Sequence, residues 1–229
     1  MKTRITIIFA ICLLTSTLVQ AQETGKTGTS FGILGGVNFQ NLNGKDHDGN
    51  KLENDIIPGF HAGVNIQIPI APAFYFQPGL LYSLKGAKSS VTVLGTTFTT
   101  TTRINYIEMP LNLMYKGALG NGFVLIGFGP YVGYAFGGKV KTEGGSVTID
   151  DDIVFQKVIE SGDDLLATYY KSFDAGANIF AGYEMNAGLF IQLNAQLGML
   201  SINPEDKRIT NDEAVVKNTG FGLSLGYRF

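Results

Sequence analysis

What most constrains this chain is a period of two that returns eight times, broken by connections that alternate between short and long. Apolar residues alternate with small or polar ones over residues 31–39, 59–68, 73–85, 103–116, 122–136, 173–184, 188–200 and 218–229, the mark of strands with one apolar face. The joins "PIAPA", "GALGN" and "MNA" are tight turns, whereas 40–58, 86–102, 137–172 and 201–217 are connections of about 17 to 36 residues, against a usual loop of about 4 to 6. Every long connection therefore falls at one end of the sheet and every short one at the other. Segregation of that kind, with an even number of antiparallel strands of about 9 to 11 membrane-crossing residues, is the organisation of an outer-membrane barrel. The expected fold is all-β, an eight-stranded antiparallel up-and-down transmembrane β-barrel.

Alternation alone does not say which face points inward. In a membrane barrel the apolar row meets lipid and the lumen is polar; in a soluble periplasmic lipocalin-like barrel the apolar row is inside and holds a small apolar ligand. The character of the second row favours the membrane. Leu189, Ile191, Leu193, Ala195 and Leu197 oppose Gln192, Asn194 and Gln196; Phe60, Val64 and Ile68 oppose His61, Asn65 and Gln67; Ile107, Met109 and Leu113 oppose Glu108 and Asn112. Amides and glycines with few lysines suit the narrow lumen of a closed eight-strand barrel. The expected lumen-facing polar residues, all in structural roles, are His61, Gln77, Glu108, Asn112, Asp174, Glu184, Gln192, Asn194 and Arg228. Arg228 is the natural partner for one of the acids, since an unpaired buried charge is costly. Phe74, Phe76, Tyr82, Tyr115, Tyr134, Phe136, Phe173, Tyr183 and Tyr227 lie near strand ends, where they suit interfacial aromatic girdles.

The start of the chain reads differently. Lys2 and Arg4 precede an apolar core of about ten residues, "ITIIFAICLL", and "LVQA" offers small residues for cleavage; this is the pattern of a secretory signal peptide. The apolar run falls short of the roughly 20 residues of a spanning helix. Residues 1–21 are expected to be removed between Ala21 and Gln22, leaving a short periplasmic segment, 22–30, and a barrel domain, 31–229. Cleavage would also remove Cys12, the one cysteine in the chain, and with it any thiol chemistry. A formal net charge of -2 carries no basic excess, so no nucleic acid partner is expected.

The blocks "FGILGGVNFQNL", "GFHAGVNIQIPI", "FYFQPGLLYSLKGAK", "INYIEMPLNLMYK", "GFGPYVGY" and the ending "LSLGYRF" together resemble the PorT-like outer-membrane β-barrel domain of the Bacteroidetes. The resemblance covers nearly all of the chain beyond residue 21. It implies an eight-stranded barrel in the cell outer membrane of a Gram-negative bacterium, with both termini in the periplasm. Its founding member is linked to secretion and gliding, so the resemblance offers a secretion-related role, although no motif here carries it. The resemblance also implies that the terminal aromatics, Tyr227 and Phe229, mark the last strand for the barrel insertion machinery.

Candidate chemistry elsewhere is thin. "DHDGN" at residues 46–50 places its glycine fourth and Ile57 twelfth, where a calcium-binding EF-hand loop requires other residues. Asp150, Asp151 and Asp152, with Asp163 and Asp164, offer a surface site for divalent cations but no fixed geometry. Asp46, His47 and Asp48 lack a positioned nucleophile. "VTVLGTTFTT" reads as strands three and four continuing outward with a turn near Leu94 and Gly95, and "GKVKTEGGSVTID" as a second raised hairpin. The expected function is that of an integral, non-enzymatic outer-membrane barrel with a packed lumen and a surface binding or scaffolding role. No cofactor is expected. The expected partners are outer-membrane lipid, the insertion machinery during assembly, and an envelope protein met through the surface loops.

Overall fold

The computed structural model describes residues 28–209 and 212–229. The predicted signal peptide, its cleavage point at Ala21 and Gln22, and most of the 22–30 segment lie outside the described residues.

The strands are β1 (Ser30–Lys45), β2 (Ile57–Ala71), β3 (Phe74–Val93), β4 (Thr96–Leu119), β5 (Gly122–Gly144), β6 (Val147–Asp152), β7 (Val154–Phe155), β8 (Val158–Ile159), β9 (Tyr169–Tyr170), β10 (Phe173–Met185), β11 (Leu189–Gly198), β12 (Glu205–Asp206) and β13 (Val215–Arg228). Eight of them, β1 to β5 with β10, β11 and β13, pair with their neighbours in an antiparallel ring. Two joins close it. β1 lies against β13 from Gly32↔Arg228 to Lys45↔Val215, and β10 lies against β5 from Phe173↔Tyr134 to Met185↔Gly122. Closure satisfies the backbone groups that an open edge would leave bare in hydrocarbon.

The apolar row faces outward. Leu193 is 64% exposed, Leu225 57% and Phe128 60%, whereas Gln67, Glu108 and Asn218 are at 1% or less. A soluble lipocalin-like barrel needs the reverse, so that alternative fails. Outward aromatics gather at two levels. Near the short turns Phe74 packs on Tyr115, and Phe229 on Phe31 and Tyr227; toward the long connections Phe60, Tyr82 and Phe136 form one chain of contacts and Phe39 stacks on Phe221.

The strands run further than the alternation predicts. The segment 86–102, expected to be a connection, is almost wholly paired: β3 and β4 stay in register from Gly86↔Arg103 to Val93↔Thr96. Leu94 and Gly95 form the turn with φ of 51° and 80°, the two positive angles that a tight two-residue hairpin favours. β5 and β6 form the second raised hairpin, Lys139↔Asp152 to Gly144↔Val147. At 20 and 24 residues, β3 and β4 are about twice the 9 to 11 needed to cross a bilayer. The sheet therefore rises as a wall beyond the membrane.

The rest of the longest connection folds back over the mouth. Ile153 donates its N–H to Gly138 at 3.0 Å, and Ala135 donates to Ser172 at 2.7 Å. These bonds lower Ile153, Phe155 and Tyr170 onto barrel-lining Ile104, Tyr106 and Ala135, with Ile202 joining from the last connection. The result is an apolar plug at the long-loop end.

Candidate functional site

The interior is layered. Beneath the apolar plug lies a charged layer centred on Lys85, whose side chain has no exposure. Its ammonium pairs with Glu108 and donates to Asp174 Oδ2 at 3.2 Å. Tyr131 and Asn218 donate to the same Asp174 oxygen at 3.1 and 2.9 Å, Gln196 donates to Glu108 Oε2 at 3.3 Å, and the Lys85 nitrogen stands 4.4 Å from the Tyr131 ring centroid. Gly86, at φ +146°, lets β3 pass close to β4 beside this lysine; a Cβ there would collide with the Thr102 carbonyl.

Below this layer is a cavity of about 60 Å³ lined by amides and hydroxyls, among them Asn38, His61, Asn112, Gln192, Asn194 and Ser224. His61 Nε2 and Ser224 Oγ are 2.7 Å apart, and Asn194 donates to the same hydroxyl at 3.1 Å. Polar lining and room above about 15 Å³ fit a few bridging waters. Met114, Leu125 and Phe180 fill the next level, where Gln77 donates weakly to the Met114 sulfur at 3.6 Å.

The short-turn mouth holds the second charged cluster. Lys116 donates to Glu184 Oε1 at 2.5 Å and Arg228 Nε stands 3.6 Å from Glu184 Oε2, with both acid and guanidinium 5% exposed at their side chains. Arg228 also donates to Asn65 and lies over the Phe190 ring. These groups border a cavity of about 570 Å³ whose walls include Gln67, Tyr75, Phe123, Tyr227 and Phe229.

The nine residues expected in the lumen are thus placed as follows. Glu108 and Asp174 sit in the upper charged layer; His61, Asn112, Gln192 and Asn194 line the small cavity; Gln77 lies beside Met114; Glu184 and Arg228 meet at the mouth. All are buried except Asn194, which is half-buried. The expectation of a lumen with few lysines misses the two cations that organise it, Lys85 and Lys116. The signal was present: Lys85 shares the parity of Gln77 along β3, and Lys116 that of Glu108 and Asn112 along β4. Tyr106, which shares the parity of Glu108 along β4, is buried in the same interior with Tyr131 and Asn218.

On the rim, the acidic segments close their own loops. Asp46 accepts from the N–H groups of Asp48 and Asn50, and His47 Nδ1 lies 2.8 Å from Asp212. Asp163 is held below the usual carboxylate range by the Glu160 N–H and the Gln156 amide, and Asp206 likewise by the Arg208 guanidinium. Asp150 to Asp152 run along β6, opposite Lys139 and Lys141 of β5. No group of three or more metal-ligating side chains occurs among the described residues.

A family model described as the outer membrane protein beta-barrel domain matches residues 20–203. No curated protein matches the chain. Among solved structures, the attachment invasion locus protein Ail of Yersinia pestis, in complex with the heparin analogue sucrose octasulfate, is 13% identical, with 88% of this chain and 99% of that chain covered at a TM-score of 0.38. The outer membrane protein OprG of Pseudomonas aeruginosa is 12% identical over 90% and 98% of the two chains, at a TM-score of 0.42. Neisserial surface protein A is 11% identical over 88% and 97%, at 0.41.

Proposed function

We propose that this chain, which belongs to the outer membrane protein β-barrel domain family and lies in the outer membrane of a Gram-negative bacterium, is a non-enzymatic surface protein that binds or scaffolds through its raised hairpins and loops. The observation that carries this reading is the closed lumen. A channel needs a continuous aqueous path, whereas the Lys85 layer and the apolar plug built on Ile104, Ile153 and Ile202 fill the bore. The His61–Ser224 pair faces a cavity of about 60 Å³, against the roughly 300–1,000 Å³ of small-molecule sites, which supports a non-catalytic role. The wall formed by β3 to β6 is open to a protein partner, including the free outer edge of β6, to which an extended segment of an envelope protein can add.

A finer assignment follows the resemblance. Within the broad family the chain is read as PorT-like and of the Bacteroidetes, with a link to secretion as the role offered. Its signal peptide ends between Ala21 and Gln22, residues 22–30 precede the barrel in the periplasm, and Tyr227 and Phe229 serve the insertion machinery.

Planar-bilayer recording from the refolded protein tests the closed lumen: no stable conductance steps are expected, and large steady ones would overturn the reading. Cross-linking in intact cells tests the wall. Replacing residues 89–100 by an Asn-Gly turn, which keeps Lys88 opposite Thr101, should leave the barrel assembled and reduce capture of an envelope partner; unchanged capture would remove this hairpin from the role.

A further inference from the structure

The lipid-facing surface has a step at its outer rim. β11 parts from β13 at Leu197↔Thr219, whereas β13 stays on β1 as far as Lys45↔Val215. The shortfall leaves a groove of about 680 Å³ walled by Leu197, Val215 and Thr219, with Lys45 and Lys217 beside them. Both lysines share the outward parity of Phe39 and Phe221, since the alternate residues Leu42 and Asn218 are buried. Height places the groove among lipid headgroups. Phe31, in the aromatic level near the short turns, lies eight residues from Phe39 in the level near the long connections, about 20 Å along the axis at a rise of about 3.3 Å per residue and a tilt of about 40°. The pair Asn43↔Lys217 lies four residues beyond Phe39, at about 30 Å, just outside an apolar band of about 25 Å. Lysines at that boundary lay their stems on apolar surface and hold their ammonium groups among the polar headgroups.

We propose that this groove seats a glycolipid of the outer leaflet, with an acyl chain against Leu197 and Val215 and a phosphate held by the ammonium groups of Lys45 and Lys217. A groove on the lipid-facing side is filled by lipid, and its two cations select the anionic group of that lipid. Among the described residues neither ammonium has an ion pair, whereas the outward lysines on the far flank each hold an acid: Lys88 has Asp55, Lys139 has Asp152 and Lys141 has Glu143. The other charges of this rim leave the pair free. Glu213, which also lines the groove, stands beyond Val215 on the loop side, and Asp46 and Asp48 lie in the turn beyond Lys45. Asp212 pairs with His47. Lys51, opposite Lys45, and Glu53, two residues further on, offset one another, and Thr210 and Asn211 carry no charge. The site is independent of any protein partner on the raised wall.

The test is native mass spectrometry of the refolded full chain in an uncharged detergent, titrated with lipid A. Lipid A should bind saturably, and lipid A stripped of its phosphates by phosphatase should bind at least tenfold more weakly. Phosphatidylglycerol, a phospholipid source of the same charge, should bind more weakly than lipid A, and excess inorganic phosphate should not displace lipid A, for it has no chain to fill the groove. The double variant Lys45→Gln, Lys217→Gln should weaken lipid A about 25-fold, at roughly fivefold per lysine, while Lys88→Gln on the far flank should leave binding unchanged. Heat-modifiable gel mobility reports whether each variant is folded. A folded double variant that binds lipid A as tightly as the unaltered chain, equal binding of phosphate-free lipid A, tighter binding of phosphatidylglycerol, or displacement by inorganic phosphate would each overturn the proposal.

Discussion

Replacing Lys85 by methionine should be among the most damaging single changes in the barrel. The ammonium is fully buried between Glu108 and Asp174, whose exposures are 1% and 0%. Methionine keeps the length and volume of the side chain, so packing changes little while two carboxylates lose their counter-charge. Breaking a buried pair by removing one partner costs about 3–5 kcal/mol, because the remaining charge is stranded. Both pairs share one ammonium, so their costs do not add, and about 3–5 kcal/mol is the expected total. The informative comparison is the triple variant Lys85→Met, Glu108→Gln, Asp174→Asn. Glutamine and asparagine keep an oxygen for Gln196, Tyr131 and Asn218, and no charge is left behind, so stability should return to within about 1–2 kcal/mol of the unaltered protein. Urea titration of protein refolded into lipid vesicles, followed by circular dichroism and by gel mobility, measures all three. A single variant within about 1 kcal/mol of the original, or a triple variant as unstable as the single, would refute the claim that this layer is held by charge.

Two further outcomes follow from the outer face and the last strand. Leu193→Arg, on a residue 64% exposed midway along β11, should cost about 2–4 kcal/mol in a bilayer if it lies near the midplane; equal stability in vesicles would contradict the lipid-facing assignment. Deleting Phe229, whose N–H donates to Phe31 at 2.8 Å, should lower the amount assembled in the outer membrane more than it lowers the stability of protein refolded in vitro. Normal membrane levels of the truncated chain would remove Phe229 from assembly.

Much of the barrel was legible because its governing pattern is local. A strand with lipid on one side and a narrow polar bore on the other must alternate, and the parity of Gln192, Asn194 and Gln196 against Leu193 and Leu197 shows it without any knowledge of neighbours. Strand ends were less legible. Residues 88–93 and 96–102, rich in Ser, Thr and Val, carry no strong two-sided pattern because beyond the membrane neither face is required to be apolar. Backbone pairing continues there on hydrogen bonds, helped by cross-strand hydroxyl contacts such as Ser90 to Thr99 at 3.1 Å.

The all-β class, the eight membrane strands, the lipid-facing row and the inward side taken by residues such as Gln192, Asn194 and Glu108 were legible from the chain alone, since each depends on spacing along one strand. Which charges meet depends on how the ring closes. Lys85 reaches Asp174 across 89 residues and Lys116 reaches Glu184 across 68, because closing the ring lets inward side chains of β3 and β4 meet those of β10 across the bore. The tertiary structure also decided that Ile153 and Ile202 seal the mouth, for an apolar residue in a long connection shows that burial is favourable but not where the surface that buries it will be.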